Sequence, residues 1–185
     1  VNGMFALALW DRRERVLTLA VDRAGEKPLY WTSAGGRFAF ASELRALRLL
    51  PGFDPGIDPG ALSGFLARGW IPGPRTIYAA CRKLPPGCLL RVPAGEHCTP
   101  GEPVRYWNAA QADAASDAED GDGDVEALLR DAVRLRLQAD VPVGVFLSGG
   151  IDSSLVAALA CEVSDAPVRT FSIGFDDELY DESAK

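Results

Sequence analysis

The sequence predicts two unlike parts, an α+β module followed by the opening of an α/β domain. Three observations carry this: strand-like runs joined by short polar turns before residue 93, an acidic, alanine-rich stretch over 109–124, and a strand, glycine-serine loop, helix and strand after it. The chain has 185 residues, 48% of them apolar and 24% charged, a composition able to bury a core. Its 19 basic and 26 acidic residues give a net charge of −7, which argues against a nucleic-acid binder working by phosphate neutralisation. No apolar run approaches the roughly 20 residues of a membrane span, and a soluble, cytoplasmic protein is expected. The chain opens at Val1 inside an apolar run and stops at Lys185 after an acidic patch, so it reads as a fragment. Cys81, Cys88, Cys98 and Cys161 have no metal-ligand spacing and are expected as free thiols.

The first strands are predicted at Met4–Trp10 and Val16–Val21, with the polar Asp11-Arg12-Arg13-Glu14-Arg15 as the hairpin connection. Leu29–Thr32 and Phe38–Ala41 form a second pair around Ser33-Ala34-Gly35-Gly36. Ser42 is placed to cap a helix running to Leu50. Asp58 is placed to cap another that begins at Pro59, where proline suits the first turn. Beyond the turn-rich Pro72-Gly73-Pro74, a further strand is expected around Cys88–Val92.

The acidic stretch holds Asp113, Asp117, Glu119, Asp120, Asp122 and Asp124 without a basic residue, the pattern of an exposed linker. Asp120, Asp122 and Asp124 alternate like a calcium loop, but Val125 stands where glycine is required and Asp131 where glutamate is. After it, Val125, Leu128, Leu129, Ala132, Val133 and Leu137 recur at helical spacing. Val141–Leu147 is a β-branched run of the kind buried in a parallel sheet. A helix from about Ser153 to Val163 and a strand over Val168–Phe175 complete a β-loop-α-β unit.

Chemistry concentrates in Ser148-Gly149-Gly150-Ile151-Asp152-Ser153-Ser154. A strand entering a helix through glycines directs several backbone N–H groups and the positive end of the helix dipole at one point, an anion site. Glycines let the backbone approach an oxyanion, and Ser148, Ser153 and Ser154 add hydroxyls. Asp152 is repelled by phosphates unless a cation lies between, which points to Mg²⁺ bridging it to them. The segment is neither a Walker A loop, since Gly150 and Ile151 stand where Lys and Ser/Thr belong, nor a GxGxxG fingerprint. It matches the SGGxDS loop of the ATP pyrophosphatase superfamily, whose members cleave ATP between the α and β phosphates.

Further segments narrow this. Gly3-Met4-Phe5-Ala6, the run from Asp22-Arg23-Ala24-Gly25-Glu26-Lys27 through Pro28-Leu29-Tyr30, and Phe40-Ala41-Ser42-Glu43 occur in order. So do Pro72-Gly73-Pro74-Arg75-Thr76-Ile77-Tyr78, Lys83-Leu84-Pro85-Pro86-Gly87, Asp140-Val141-Pro142-Val143-Gly144 and Thr170-Phe171-Ser172-Ile173-Gly174-Phe175. Together they closely resemble the glutamine-hydrolysing asparagine synthetases over nearly the whole chain apart from the acidic stretch. The resemblance implies the C-terminal part of an Ntn-hydrolase glutaminase domain over 1–108, a linker over 109–124, and the start of an adenine-nucleotide α-hydrolase-like (PP-loop) synthetase domain over 125–185. It implies an ATP-dependent amidoligase: glutamine yields ammonia, which passes through an internal tunnel, and aspartate becomes asparagine through β-aspartyl-AMP.

The cofactors implied are ATP and Mg²⁺. Leu147 and Ile173 match positions that contact ATP, Ser148, Gly149, Gly150, Asp152, Ser153 and Ser154 match the pyrophosphate site, and Asp152 is the metal ligand. No catalytic residue carries over: the family's nucleophile is an N-terminal cysteine, Val1 has no thiol, and the acceptor-site residues belong beyond Lys185, so the fragment alone is expected to be inactive. Small-molecule partners, a homodimer at full length, and neither nucleic acid nor membrane are implied. Relatives that amidate surface-polysaccharide sugars or close β-lactam rings supply an alternative acceptor, Ala24-Gly25-Glu26 lending some weight to the polysaccharide-related one, and a non-catalytic nucleotide-binding relative is a third possibility. Asp22, Arg23 and Lys27 are candidates to organise a domain interface or a loop, or to form an ion pair. His97 reads as a solvated histidine; Trp10, Trp31, Trp70 and Trp107 read as packing residues. Tyr180 and Asp176, Asp177, Glu178, Asp181 and Glu182 read as a loop and helix entry.

Overall fold

The computed structural model describes residues 3–34, 36–95, 98–114 and 125–176. The chain divides into two compact units, Val1–Asp117 and Ala118–Lys185. His97, Tyr180, the acidic residues from Asp117 to Asp124 and those from Asp177 to Glu182 lie outside the described residues. All four cysteines are free.

The first unit holds strands β1 (Ala6–Asp11), β2 (Val16–Val21), β3 (Tyr30–Ala34) and β4 (Arg37–Ala41), then helices α1 (Leu44–Leu47) and α2 (Pro59–Arg68). Strands β5 (Cys81–Lys83), β6 (Cys88–Pro93) and β7 (Val104–Arg105) and helix α3 (Ala109–Ala114) follow. One antiparallel sheet runs β1-β2-β6-β7 and another β4-β3-β5. The first hairpin closes as its sequence predicts. Asp11 Oδ1 accepts the N–H of Arg13 at 2.8 Å and of Glu14 at 3.0 Å, and Arg15 takes the left-handed conformation.

Register decides what is buried. Leu17 lies opposite Val92 and Leu19 opposite Leu90, so alternate residues of β2 and β6 point to one face. That face, with Val21, Leu29, Leu84 and Cys88, forms the core, and Trp31 and Phe38 of the second sheet pack against it. Of the four tryptophans, Trp31 and the half-buried Trp107 fit the packing expectation, whereas Trp10 and Trp70 are exposed. Asp58 caps α2 as expected, accepting from Gly60 N at 2.8 Å and Ala61 N at 3.1 Å, while Gly69 ends the helix in the left-handed conformation.

Two expectations need correction. Helix α1 is one turn, and Glu43 rather than Ser42 precedes it without a side-chain cap, so it stops short of Leu50. Val141 and Phe146 are exposed rather than buried. The stretch read as a linker opens with α3, because its alanines favour helix. Strands β5 and β7 escaped the sequence reading; at three and two residues they are too short to show a period.

The second unit holds helix α4 (Val125–Arg136), strand β8 (Gly144–Phe146), helix α5 (Ile151–Val163) and strand β9 (Arg169–Phe171). The strands pair in parallel, Gly144 opposite Arg169 and Phe146 opposite Phe171. They are shorter than predicted because pairing extends over only these three positions. Helices α4 and α5 are joined by Arg130, whose guanidinium reaches Glu126 at 2.6 Å on its own helix and Glu162 at 2.9 Å on the other. A Cβ at Gly144 would lie 2.4 Å from the Phe171 ring, so glycine there lets that ring lie against β8.

Candidate functional site

Strand β8 delivers the chain to the glycine-serine loop, and two hydrogen bonds fix the point of delivery. Leu147 N donates to Phe171 O at 2.8 Å, and Ser172 Oγ donates to Leu147 O at 2.7 Å. The sequence reading missed Ser172; a hydroxyl among the apolar residues of Phe171–Ile173 was the available signal. Ile173 lies two residues past β9, rather than within a strand, and is 63% exposed.

The two glycines of the loop differ. Gly149 has φ +76°, a conformation that disfavours a side chain. Gly150, the residue preceding α5, has φ −75° and ψ 159°, which any residue adopts. A Cβ on Gly150 would meet only Ser148 Oγ at 3.6 Å and Ser153 Oγ at 3.9 Å, ordinary contacts. Nothing in the local fold demands glycine at 150. A Cβ there would face the two serine hydroxyls that brace the loop.

That start presents four amides, those of Gly150, Ile151, Asp152 and Ser153, which by helix geometry have no intrahelical acceptor. The first helical bond runs from Ser154 N to Gly150 O at 3.1 Å. Asp152 stands in the first turn and is exposed, where its charge also favours the helix itself. The serines divide their work. Ser153 Oγ donates to Gly150 O at 3.1 Å and accepts from Ser148 N at 3.3 Å, and it lies 3.1 Å from Ser148 Oγ. With Ser153's proton on Gly150 O, Ser148 is the donor in the hydroxyl pair. Both hydroxyls therefore brace the loop, whereas Ser154 is exposed with no hydrogen bond to its hydroxyl among the described residues.

Of the predicted site residues, Leu147 to Ser154 are thus brought to one strand-to-helix turn, and Ile173 is linked to it through its neighbour Ser172. A cavity of about 400 Å³ lies beside the turn, its lining mostly apolar, with Val133, Leu137, Val145 and Val156 together with Arg136 and Asp152. Among the described residues no group of three or more His, Cys, Asp or Glu could hold a metal ion. Among the described residues Asp152 alone offers a carboxylate at the loop, a donor set that fits Mg²⁺ shared with phosphate oxygens, since Mg²⁺ takes few protein ligands.

In the first unit Asp22 organises a loop, one of the roles its sequence suggests, and forms no ion pair among the described residues. Its carboxylate, 2% exposed, accepts backbone N–H groups from Phe5, Ala24, Glu26 and Lys27. Burial pushes its carboxyl up, but those donors, Lys27 and Glu26 foremost, outweigh burial and hold it below the ordinary 3.8. Arg23 lies over the Trp107 ring at 5.9 Å.

The chain matches two known families, a glutamine amidotransferase domain over residues 1–107 and asparagine synthase over residues 124–185. A Mycobacterium tuberculosis protein provisionally named asparagine synthetase (glutamine-hydrolyzing) is 39% identical over 98% of this chain and 28% of its own length. Asparagine synthetase 3 (glutamine-hydrolyzing) of Bacillus subtilis is 34% identical over 96% of this chain and 29% of its own. Amidase chyE of Penicillium rubens is 32% identical over the whole chain and 29% of its own length. The chain spans less than a third of the length of these relatives. No helix among the described residues is long and apolar enough to cross a membrane. With both domains matched in order and close relatives along nearly all of its length, the chain belongs to the glutamine-hydrolysing asparagine synthetase family.

Proposed function

We propose that this chain carries the ATP-pyrophosphate site of a cytoplasmic, glutamine-dependent amidoligase that converts aspartate to asparagine through β-aspartyl-AMP. The observation that carries the reading is the turn at Ser148–Ser154. There the four amides that start a helix, with no side-chain cap among the described residues, begin at a glycine whose backbone any residue could adopt. In this reading residues 1–108 belong to an Ntn-hydrolase glutaminase, 109–124 join it to the second domain, and 125–185 belong to a PP-loop synthetase.

The chain's own residues have separate tasks. The amides from Gly150 to Ser153 hold pyrophosphate oxygens, Ser154 donates a hydroxyl proton to them, and Ser153 and Ser148 keep the loop in shape. Leu147 and Ile173 lie toward the nucleotide. Asp152 would hold Mg²⁺, which would supply positive charge against the phosphate oxygens. The substrate carboxylate attacks the α-phosphorus. Pyrophosphate leaves, and ammonia from glutamine then displaces AMP from the activated acyl group. Activation precedes amination because a carboxylate is a poor electrophile and ammonia is lost as ammonium in water.

The test is ATP–pyrophosphate exchange by the complete gene product with aspartate as acceptor. Exchange that depends on aspartate and Mg²⁺ is expected; no exchange with any carboxylate refutes the reading in favour of a non-catalytic nucleotide-binding relative. The similarity to an amidase supports a second reading, in which the same machinery amidates another carboxylate. Exchange with a sugar acid or a β-lactam-type precursor, but not with aspartate, selects it.

A further inference from the structure

Asp22 gathers segments far apart in sequence. Its Oδ1 accepts Ala24 N at 3.1 Å and Glu26 N at 2.9 Å, and its Oδ2 accepts Phe5 N at 3.2 Å and Lys27 N at 3.0 Å. Its backbone carbonyl accepts Gly87 N at 2.9 Å, and Gly87 O in turn accepts Tyr106 N at 2.8 Å and Trp107 N at 3.3 Å. The Tyr106 hydroxyl returns 85 positions to donate to Val21 O at 2.6 Å. The packing leaves little slack. A Cβ on Gly25 would lie 2.7 Å from the Pro86 ring, and one on Gly87 2.6 Å from Trp107 O. All of this surrounds the place where β7 has ended and the chain leaves its sheet.

A buried carboxylate with no cation paired to it among the described residues is an expensive way to shape a turn, and the loop it shapes also grips the last residues before α3. We infer that Asp22 is a positioning residue that fixes where the chain leaves the first unit, keeping glutamine hydrolysis coupled to amide formation. The inference rests on the reaction proposed above. Asparagine at 22 can still accept from Ala24 and Glu26, but its NH₂ faces the N–H groups of Phe5 and Lys27, so the knot opens on one side. Tyr106→Phe removes only the hydroxyl and spares the buried carboxylate.

The experiment compares the complete gene product with its Asp22→Asn and Tyr106→Phe variants. Three rates are measured: glutamine hydrolysis, ammonia-dependent amide formation and glutamine-dependent amide formation. The first two are expected within about threefold of the parent. Glutamate released per amide formed should rise about tenfold or more in Asp22→Asn, as small displacements remote from the chemistry can do. In Tyr106→Phe it should rise about threefold, the loss of one hydrogen bond. Hydrogen exchange reads the geometry apart from the reaction, and the amides of Gly87, Tyr106 and Trp107 should lose protection together with those of residues 24–27. Faster exchange confined to 24–27, or rates that fall together at an unchanged ratio, overturns the inference. A parent protein that neither hydrolyses glutamine nor uses ATP refutes the reaction and the coupling with it, while the exchange data still decide whether Asp22 holds the exit segment.

Discussion

Gly150→Ala separates a ligand site from a structural turn, because the two roles predict different magnitudes. The backbone at 150 is ordinary, and the new Cβ meets only two serine oxygens, at 3.6 and 3.9 Å. Alanine is a poorer residue than glycine before a helix by about 0.5–1 kcal/mol. It recovers about 0.4–1 kcal/mol by restricting the unfolded chain. Net stability should therefore change by less than about 0.5 kcal/mol. For a bound pyrophosphate the methyl stands in front of the helix amides and displaces the anion from roughly two charge-assisted hydrogen bonds, about 1.5–3 kcal/mol each. That amounts to about 10²- to 10⁴-fold in ATP–pyrophosphate exchange, measured beside a thermal melt. Activity within threefold of the parent refutes the amide cradle. Lost activity accompanied by a collapse in Tm refutes the claim that the fold does not need this glycine. Gly149→Ala is the control: at φ +76° it should destabilise by about 1–2 kcal/mol, as left-handed backbone does for an L side chain.

Asp152→Asn keeps the shape of the first turn of α5 and removes the charge. The Mg²⁺ concentration for half-maximal AMP release should rise and the rate should fall about 10²-fold or more, with an unchanged Mg²⁺ titration as the contrary result. Leu90, fully buried opposite Leu19, should cost about 2–5 kcal/mol as Leu90→Ala, read by denaturant unfolding of the first unit. Asp22 predicts an acid limb. Its folded pKa is lower than its unfolded one, so its contribution is complete above the unfolded value and disappears as pH falls through the folded value. Stability measured by unfolding should drop below about pH 4, and Asp22→Asn should flatten that part of the curve.

How much was legible varied with the kind of signal. The place of the loop from Leu147 to Ser154 between a strand and a helix could be read because its signals are local: glycines, serines and an aspartate between a β-branched run and a helical period. The Asp58 cap and the first hairpin are likewise side chain-to-backbone bonds spanning two or three residues. Asp22 was singled out, but its partners were not foreseeable, since Phe5 and the exit segment reach it only after the sheets have formed. Strands β5 and β7 exist because a neighbour offers a ladder, and three or two residues carry no period of their own. The roles within the loop also escaped composition. Three serines look alike in sequence, and only the distances show that Ser148 and Ser153 bond to each other while Ser154 stands apart.

Gly144 has a bearing on how this chain tolerates change. It touches neither the helix start nor the serines, yet only a glycine lets the Phe171 ring lie against β8, and the carbonyl of Phe171 receives the amide of Leu147. A side chain at 144 must push Phe171 outward, and the displacement is handed on to the residue that opens the loop. In a library of random substitutions selected for ATP use, position 144 should be as depleted of variants as the loop itself. Its neighbour Val145 should accept other apolar residues.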